Sequence, residues 1–227
     1  MAKTKVNYLE KYNLNKTKSI ADGVKIALET VSVKFTPSID IDIVLNLKDK
    51  QKKESIRGSV DLPVTFGKEK RVVVLTTPNN VEAAKKAGAV EAGLDDLKQK
   101  ILNGKIEFDV IIATPDVMPK IVELGKVLGP RGLMPNPKNG TVTNDIEKAV
   151  DSFKGGKVNF KMEQGQGVIR AKVGQADMKP EEIVQNIEAF LKAVATEAKK
   201  IVGQPFKKVT ISTTMGHGIR IDFSDII

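Results

Sequence analysis

Cysteine and tryptophan are absent from the 227 residues, and His217 is the only histidine. Without cysteine there is no disulfide, thiolate zinc site or cysteine nucleophile, and the omission fits a reducing compartment. A solitary histidine leaves no second imidazole for a metal pair or a proton relay. Set between Gly216 and Gly218, it reads as a solvated turn residue. Aromatic residues make up only 4% of the chain, too few for base stacking to be the main device of a nucleic-acid binder. No apolar run approaches the length of a membrane helix, and the opening MAKTKVNYLEKYNLNK has no signal-peptide core, so no membrane partner and a cytoplasmic location are expected. Phosphate loops are missing as well: neither G-x-G-x-x-G nor G-x-x-x-x-G-K followed by Ser or Thr occurs. Carboxylates fall at caps, on helix surfaces and on one wet strand face, with no acid–base pair among them, so neither enzyme chemistry nor a cofactor or metal is expected.

What is present is positive charge, unevenly spread. The formal net charge is +9. Residues 68–156 carry 14 Lys and Arg against 12 Asp and Glu, so the flanking segments hold 23 against 16 and most of the surplus. A basic surplus is the footprint of a polyanion binder, because counterion release drives association, and it is equally a device for solubility.

The flanks and the middle are written in different patterns. Ser19 reads as an N-cap, with Ile20, Val24, Ala27, Leu28 and Val31 at helical spacing behind it. Ile39 to Leu47 then alternates strictly, with Asp40, Asp42 and Asn46 on the second face, as in a sheet with one wet side. Lys48–Glu54 is a charged connection, and Gly58–Leu62 a short strand. In the middle, Arg71–Leu75 and Phe108–Ala113 are continuous apolar runs suited to strands buried on both faces. Helical patterns cover Val81–Ala87, Leu94–Leu102 and Val117–Leu124, and Asn144 is placed to cap a helix ending at Gly155-Gly156. Alternation returns in KVNFKM from Lys157 and GVIRAKV from Gly167. Pro180 opens the longest helix, with Ile183, Ile187, Phe190, Leu191 and Val194 on one stripe, and two strands flank the MGHG turn. The expected fold is an α+β outer domain with a split, antiparallel-rich sheet and helices (1–66 plus 157–227). Inserted in it is a three-layer, Rossmann-like α/β domain with a parallel sheet (67–156). Two crossings side by side suit a hinge.

Two motifs stand out. Leu124 to Val142, LGKVLGPRGLMPNPKNGTV, alternates glycine and proline around Arg131, Lys126 and Lys138, which dictates one loop shape. It reads either as a closure of the middle domain or as a ligand loop, and the second would make that domain a nucleotide- or small-molecule-binding enzyme. Ser212 to Gly216, STTMG, ends a strand with hydroxyls, a thioether and a glycine. It is either a plain hairpin or a small surface for the shallow, hydroxyl-lined minor groove of RNA. Lys34-Phe35 leaves the same choice between core packing and a contact surface.

LGPRGLMPNPK with its flanks, STTMG followed by Ile219-Arg220-Ile221, and Lys34-Phe35, in that order along the chain, resemble the bacterial L-one family of large-subunit ribosomal proteins, the proteins of the mobile stalk. The resemblance implies the same nested plan and an outer domain that holds large-subunit rRNA through Lys34, Phe35, Ser38, Arg170, Thr213, Thr214, Met215 and Gly216. Arg131 and Lys138 would form a secondary RNA or interdomain surface. It further implies a role in releasing tRNA from the exit site, translational repression through the chain's own operon mRNA, and a monomer when off the ribosome. Thr36-Pro37, in place of two acidic residues, and Gln175 to Met178 depart from the family pattern. On this reading Thr214→Val weakens RNA binding and leaves thermal unfolding little changed.

Overall fold

The computed structural model describes residue 12 and residues 16–47, 56–67, 70–104, 108–163, 165–199 and 203–224, without the side chains of 79 and 138. The charged connection at Lys48–Glu54 lies outside the described residues, as does the side chain of Lys138. The chain divides into two compact units, 1–67 with 158–227, and 68–157.

The outer unit is built on a six-stranded sheet. In chain order it contains α1 (Ile20–Glu29), β1 (Ser38–Leu45), β2 (Arg57–Asp61), β6 (Lys157–Glu163), β7 (Val168–Gln175), α7 (Pro180–Lys199), β8 (Phe206–Thr213) and β9 (Ile219–Ile221). The strand order is β2-β6-β7-β1-β8-β9, and the pairings β6–β7, β7–β1, β1–β8 and β8–β9 are antiparallel. Alternation in β1 works as the pattern demands: Ile39, Ile41, Ile43 and Leu45 are buried, while Ser38, Asp40, Asp42 and Val44 are half-exposed. The apolar side meets α1 and α7 in one core, where Phe160 and Phe190 pack edge to face at 5.6 Å. Both helices lie on that side, so the Asp40–Asp42 face carries no helix among the described residues. Ser19 caps α1 by accepting from the N–H of Asp22 at 3.1 Å.

Within the apolar stripe of α7 lies a polar residue whose role is visible only in three dimensions. Asn186 is fully buried; its amide oxygen accepts from the N–H of Val64 at 3.0 Å, and its nitrogen donates to the carbonyls of Val64 (2.9 Å) and Val173 (3.0 Å). This one side chain pins the segment after β2 to α7 and β7. Asn186→Ala strands all three groups, and is expected to lower stability by about 3 kcal/mol. In urea unfolding the midpoint should drop with an unchanged slope, and an unaltered midpoint would contradict the clamp.

The second unit contains β3 (Val72–Leu75), α2 (Val81–Lys86), β4 (Glu91–Gly93), α3 (Asp95–Leu102), β5 (Val110–Ala113), the short α4 (Met118–Ile121) and α5 (Gly125–Leu128), and α6 (Ile146–Lys154). Its sheet is parallel, in the order β4-β3-β5. The continuous apolar runs are explained by two cores: Val73, Leu75, Ile111 and Ala113 face α3, α4 and α5, while Val72, Val74 and Ile112 face α2 and α6.

Two local readings need correction, and one strand was not read at all. Strand β4 has no periodic signal in sequence, because three half-buried edge residues held by pairing to β3 leave none. The helical pattern through Val117–Leu124 is broken into alternating α and 3₁₀ turns from Pro115 to Leu128, which rotates Val122 out to 65% exposure. Asn144 is one residue too early to cap α6; Asp145 holds the N-cap position, and its N–H donates to Thr143 Oγ1 at 3.1 Å.

The glycine-proline block closes the second unit. Leu124 and Leu128 are buried beside Val73 and Leu75, Gly132 takes φ +70°, and Thr141 Oγ1 accepts from the N–H of Asn136 at 2.7 Å and donates to its carbonyl at 3.0 Å. The Thr141 carbonyl then accepts from the N–H of Ala113 at the end of β5, at 2.9 Å.

Candidate nucleic-acid interface

Antiparallel pairing brings three chain ends to one edge of the outer sheet: β1 starts at Ser38, β7 ends at Gln175 opposite it, and β8 ends at Thr213 opposite Ile39. The N–H of Thr214 donates to the Ser38 carbonyl at 3.0 Å, and the N–H of Ser38 donates to Thr214 Oγ1 at 3.1 Å. On the other side, the N–H of Ala176 donates to the Pro37 carbonyl at 3.0 Å. The start of β1 is thus clasped from both neighbours.

Beyond the clasp comes a four-residue turn, closed by the N–H of Gly216 donating to the Thr213 carbonyl at 2.7 Å. Its third residue, Met215, has φ +64° and is the only described non-glycine residue at positive φ. Glycine or asparagine normally takes that place, since an L side chain in the left-handed region costs about 1–2 kcal/mol. Met215 recovers none of it by burial, being 82% exposed. Phe35 is 55% exposed, and it and Met215 are the exposed large apolar side chains among the outer unit's described residues. Both stand near the Ser38 edge, beside exposed Lys34.

Thr213 departs from the sequence reading. It is 3% exposed, because it follows Val209 and Ile211 on the inward face of β8, so its hydroxyl does not join the surface. Gly216 packs so closely on it that a Cβ would collide with Thr213 Oγ1 and sit 3.1 Å from its carbonyl oxygen. Thr214, whose hydroxyl is engaged with the Ser38 backbone, shapes the edge. Thr214→Val would leave that part-buried N–H unpaired and therefore also lower stability, contrary to the expectation from sequence.

Arg170 is not at this edge. It lies opposite Asp42, four residues along β1 from Ser38 and so about 13 Å away. On the uncovered face its Nη1 donates to Glu163 Oε1 at 2.9 Å, and its Nε forms an ion pair with Asp42 Oδ1 at 3.2 Å. Those partners were missed in the sequence; strand alternation puts Asp42 on the right face, but only the register names its neighbour. Arg131 is exposed in the second unit. Of the departing residues, Gln175 ends β7, half-buried, and its N–H donates to Met178 Sδ at 3.4 Å.

Near Arg170, burial and the charge of Asp42 raise the Asp40 carboxyl above its ordinary value of 3.8, against the opposing pull of Lys172. A carboxyl raised on folding binds its proton more tightly in the folded state, so stability falls as pH rises from the ordinary value through the folded one. Asp40→Asn is expected to raise the melting temperature at pH 7, with the gain vanishing below about pH 3.8, where both states hold the proton. Thermal melts across pH check this; a gain of equal size at acid pH would contradict it.

Among the described residues no group of His, Asp or Glu could hold a metal ion, and no helix is long and apolar enough to cross a membrane. The chain is basic, and exposed apolar side chains stand around a strained turn. Residues 27–217 match the Ribosomal protein L1p/L10e family. The chain is 43% identical over 227 residues to the large ribosomal subunit protein uL1 of Lactobacillus johnsonii, covering 98% of each. It is 43% identical over 221 residues to the protein of the same name from Cellvibrio japonicus (96% of this chain, 94% of that one) and 43% over 216 residues to that from Legionella pneumophila (93% and 92%). The chain therefore belongs to the Ribosomal protein L1p/L10e family: it is a ribosomal protein, not an enzyme built on its middle segment.

Proposed function

We propose that this chain is a component of the large ribosomal subunit whose outer unit, residues 1–66 with 157–227, binds large-subunit rRNA of the mobile stalk. Contact is made at the Ser38 edge by Lys34, Phe35, Ser38, Met215 and Gly216, with Thr213 and Thr214 shaping that edge and Arg170 on the adjoining face. The observation that carries this is Met215, held in a strained backbone conformation with its side chain in solvent. The basic surplus of the outer segments supplies attraction to phosphate. Residues 67–156 form an inserted Rossmann-like domain that swings on its two linkers and assists release of tRNA from the exit site, with Arg131 and Lys138 as a secondary RNA or interdomain surface. The same edge binds the chain's own operon mRNA in translational repression. Off the ribosome the protein is a cytoplasmic monomer.

Filter binding of the full chain to a stalk rRNA fragment tests the reading. Affinity on the order of 10⁻⁸ M or tighter at physiological salt, falling steeply as salt rises, is expected. Salt-insensitive binding, or tighter binding of mononucleotides than of the fragment, would overturn it.

A further inference from the structure

The group around Arg170 offers a phosphate no uncompensated arginine. Arg170 is more than half exposed, yet Asp42 and Glu163 both hold its guanidinium. The three together carry net charge −1, which exposed Lys161, on the outward face of β6 one residue before the Met162–Ile169 pair, brings to zero, and the neighbouring Asp40 and Lys172 cancel. A phosphate approaching this group meets two carboxylates at the arginine it would need. The geometry suits a different ligand. Nη1 is engaged by Glu163 and Nε is ion-paired with Asp42, so the two carboxylates orient the guanidinium from two sides, and no hydrogen bond from Nη2 is found among the described residues. Charge-compensated donors that the carboxylates leave open suit neutral acceptors better than an anion.

We infer that Arg170, oriented by Asp42 and Glu163, reads the O6/N7 acceptor edge of an unpaired guanine in the bound RNA and does not contact a phosphate. The inference rests on the RNA-binding reading above. Guanine is the base whose edge offers two adjacent acceptors to arginine, and unpaired nucleotides of folded RNA present that edge where a helix would hide it. Asp42 and Glu163 are positioning residues, and Arg170 is the specificity determinant.

The sign of one experiment decides the matter. Asp42→Asn and Glu163→Gln each remove negative charge from a face turned toward a polyanion. If the carboxylates merely oppose RNA, both variants bind the stalk fragment more tightly; if they position Arg170, both bind about three- to tenfold more weakly. Arg170→Ala should lose about tenfold or more while keeping the wild-type salt slope, whereas loss of a phosphate contact would lower that slope by about one. Fragment transcribed with 7-deazaguanine should bind the wild type more weakly and Arg170→Ala no more weakly than unmodified RNA does. Tighter binding by both carboxylate variants, a reduced salt slope for Arg170→Ala, or equal sensitivity of both proteins to 7-deazaguanine would each overturn the inference. Met215→Ala, measured alongside, separates the two readings: if it weakens binding while the carboxylate variants tighten it, only the Arg170 assignment fails. Absence of RNA binding by the wild type would overturn both.

Discussion

Met215→Gly is expected to make the protein more stable and worse at binding RNA. Glycine enters the left-handed region freely, so the substitution relieves a backbone strain of about 1–2 kcal/mol and gives some of it back through the more flexible unfolded chain. A net gain of about 1 kcal/mol raises the melting temperature by about 2–4 °C for a chain of this size. The thioether is lost from a side chain 82% exposed in the free protein, so no core contact goes with it. Affinity for rRNA should fall by about tenfold or more if Met215 is an anchor. Met215→Ala provides the contrast, because alanine keeps both Cβ and strain: affinity falls comparably and the melting temperature stays put. A melting temperature lowered by both variants, with affinity intact, would make the turn an ordinary hairpin.

Gly216→Ala should be the more damaging change. Its Cβ would collide with the Thr213 hydroxyl and approach the Thr213 carbonyl, and Thr213 is buried and unable to swing aside. The turn must open, weakening the 2.7 Å bond that closes it and moving Met215 from its place. Overpacking of this kind costs about 1–3 kcal/mol of stability. RNA affinity should fall about a hundredfold, since the anchor and the surrounding surface are displaced together. Melting and filter binding on the same preparation read both effects; affinity retained despite a lowered melting temperature would show that turn shape does not matter to binding.

The parts of the molecule legible in sequence are those governed by neighbours along the chain. Alternation in Ile39–Leu47, the stripe of α7 and the two buried runs depend on one periodicity each, and each element forms there with shifted ends: β1 stops at Leu45 and β5 starts at Val110. The STTMG turn was visible as a motif, but its division of labour was not. Whether Thr213 or Thr214 faces outward is set by the pairing of β8 with β1, and a shift of one residue would exchange them. Arg170 was named by resemblance, whereas its carboxylate partners come from β1 and β6, which the sequence cannot align. Asn186 went unread in the sequence, because its three backbone partners, two of them 122 residues away, are not set by any periodicity.

The central claim is that RNA is gripped at the Ser38 edge of the outer unit. Crosslinking the full chain to stalk rRNA and mapping the attached residues tests it most directly. Adducts concentrated at Lys34-Phe35 and Met215-Gly216 are predicted. Adducts confined to residues 68–157, with the outer segments bare, would contradict the account.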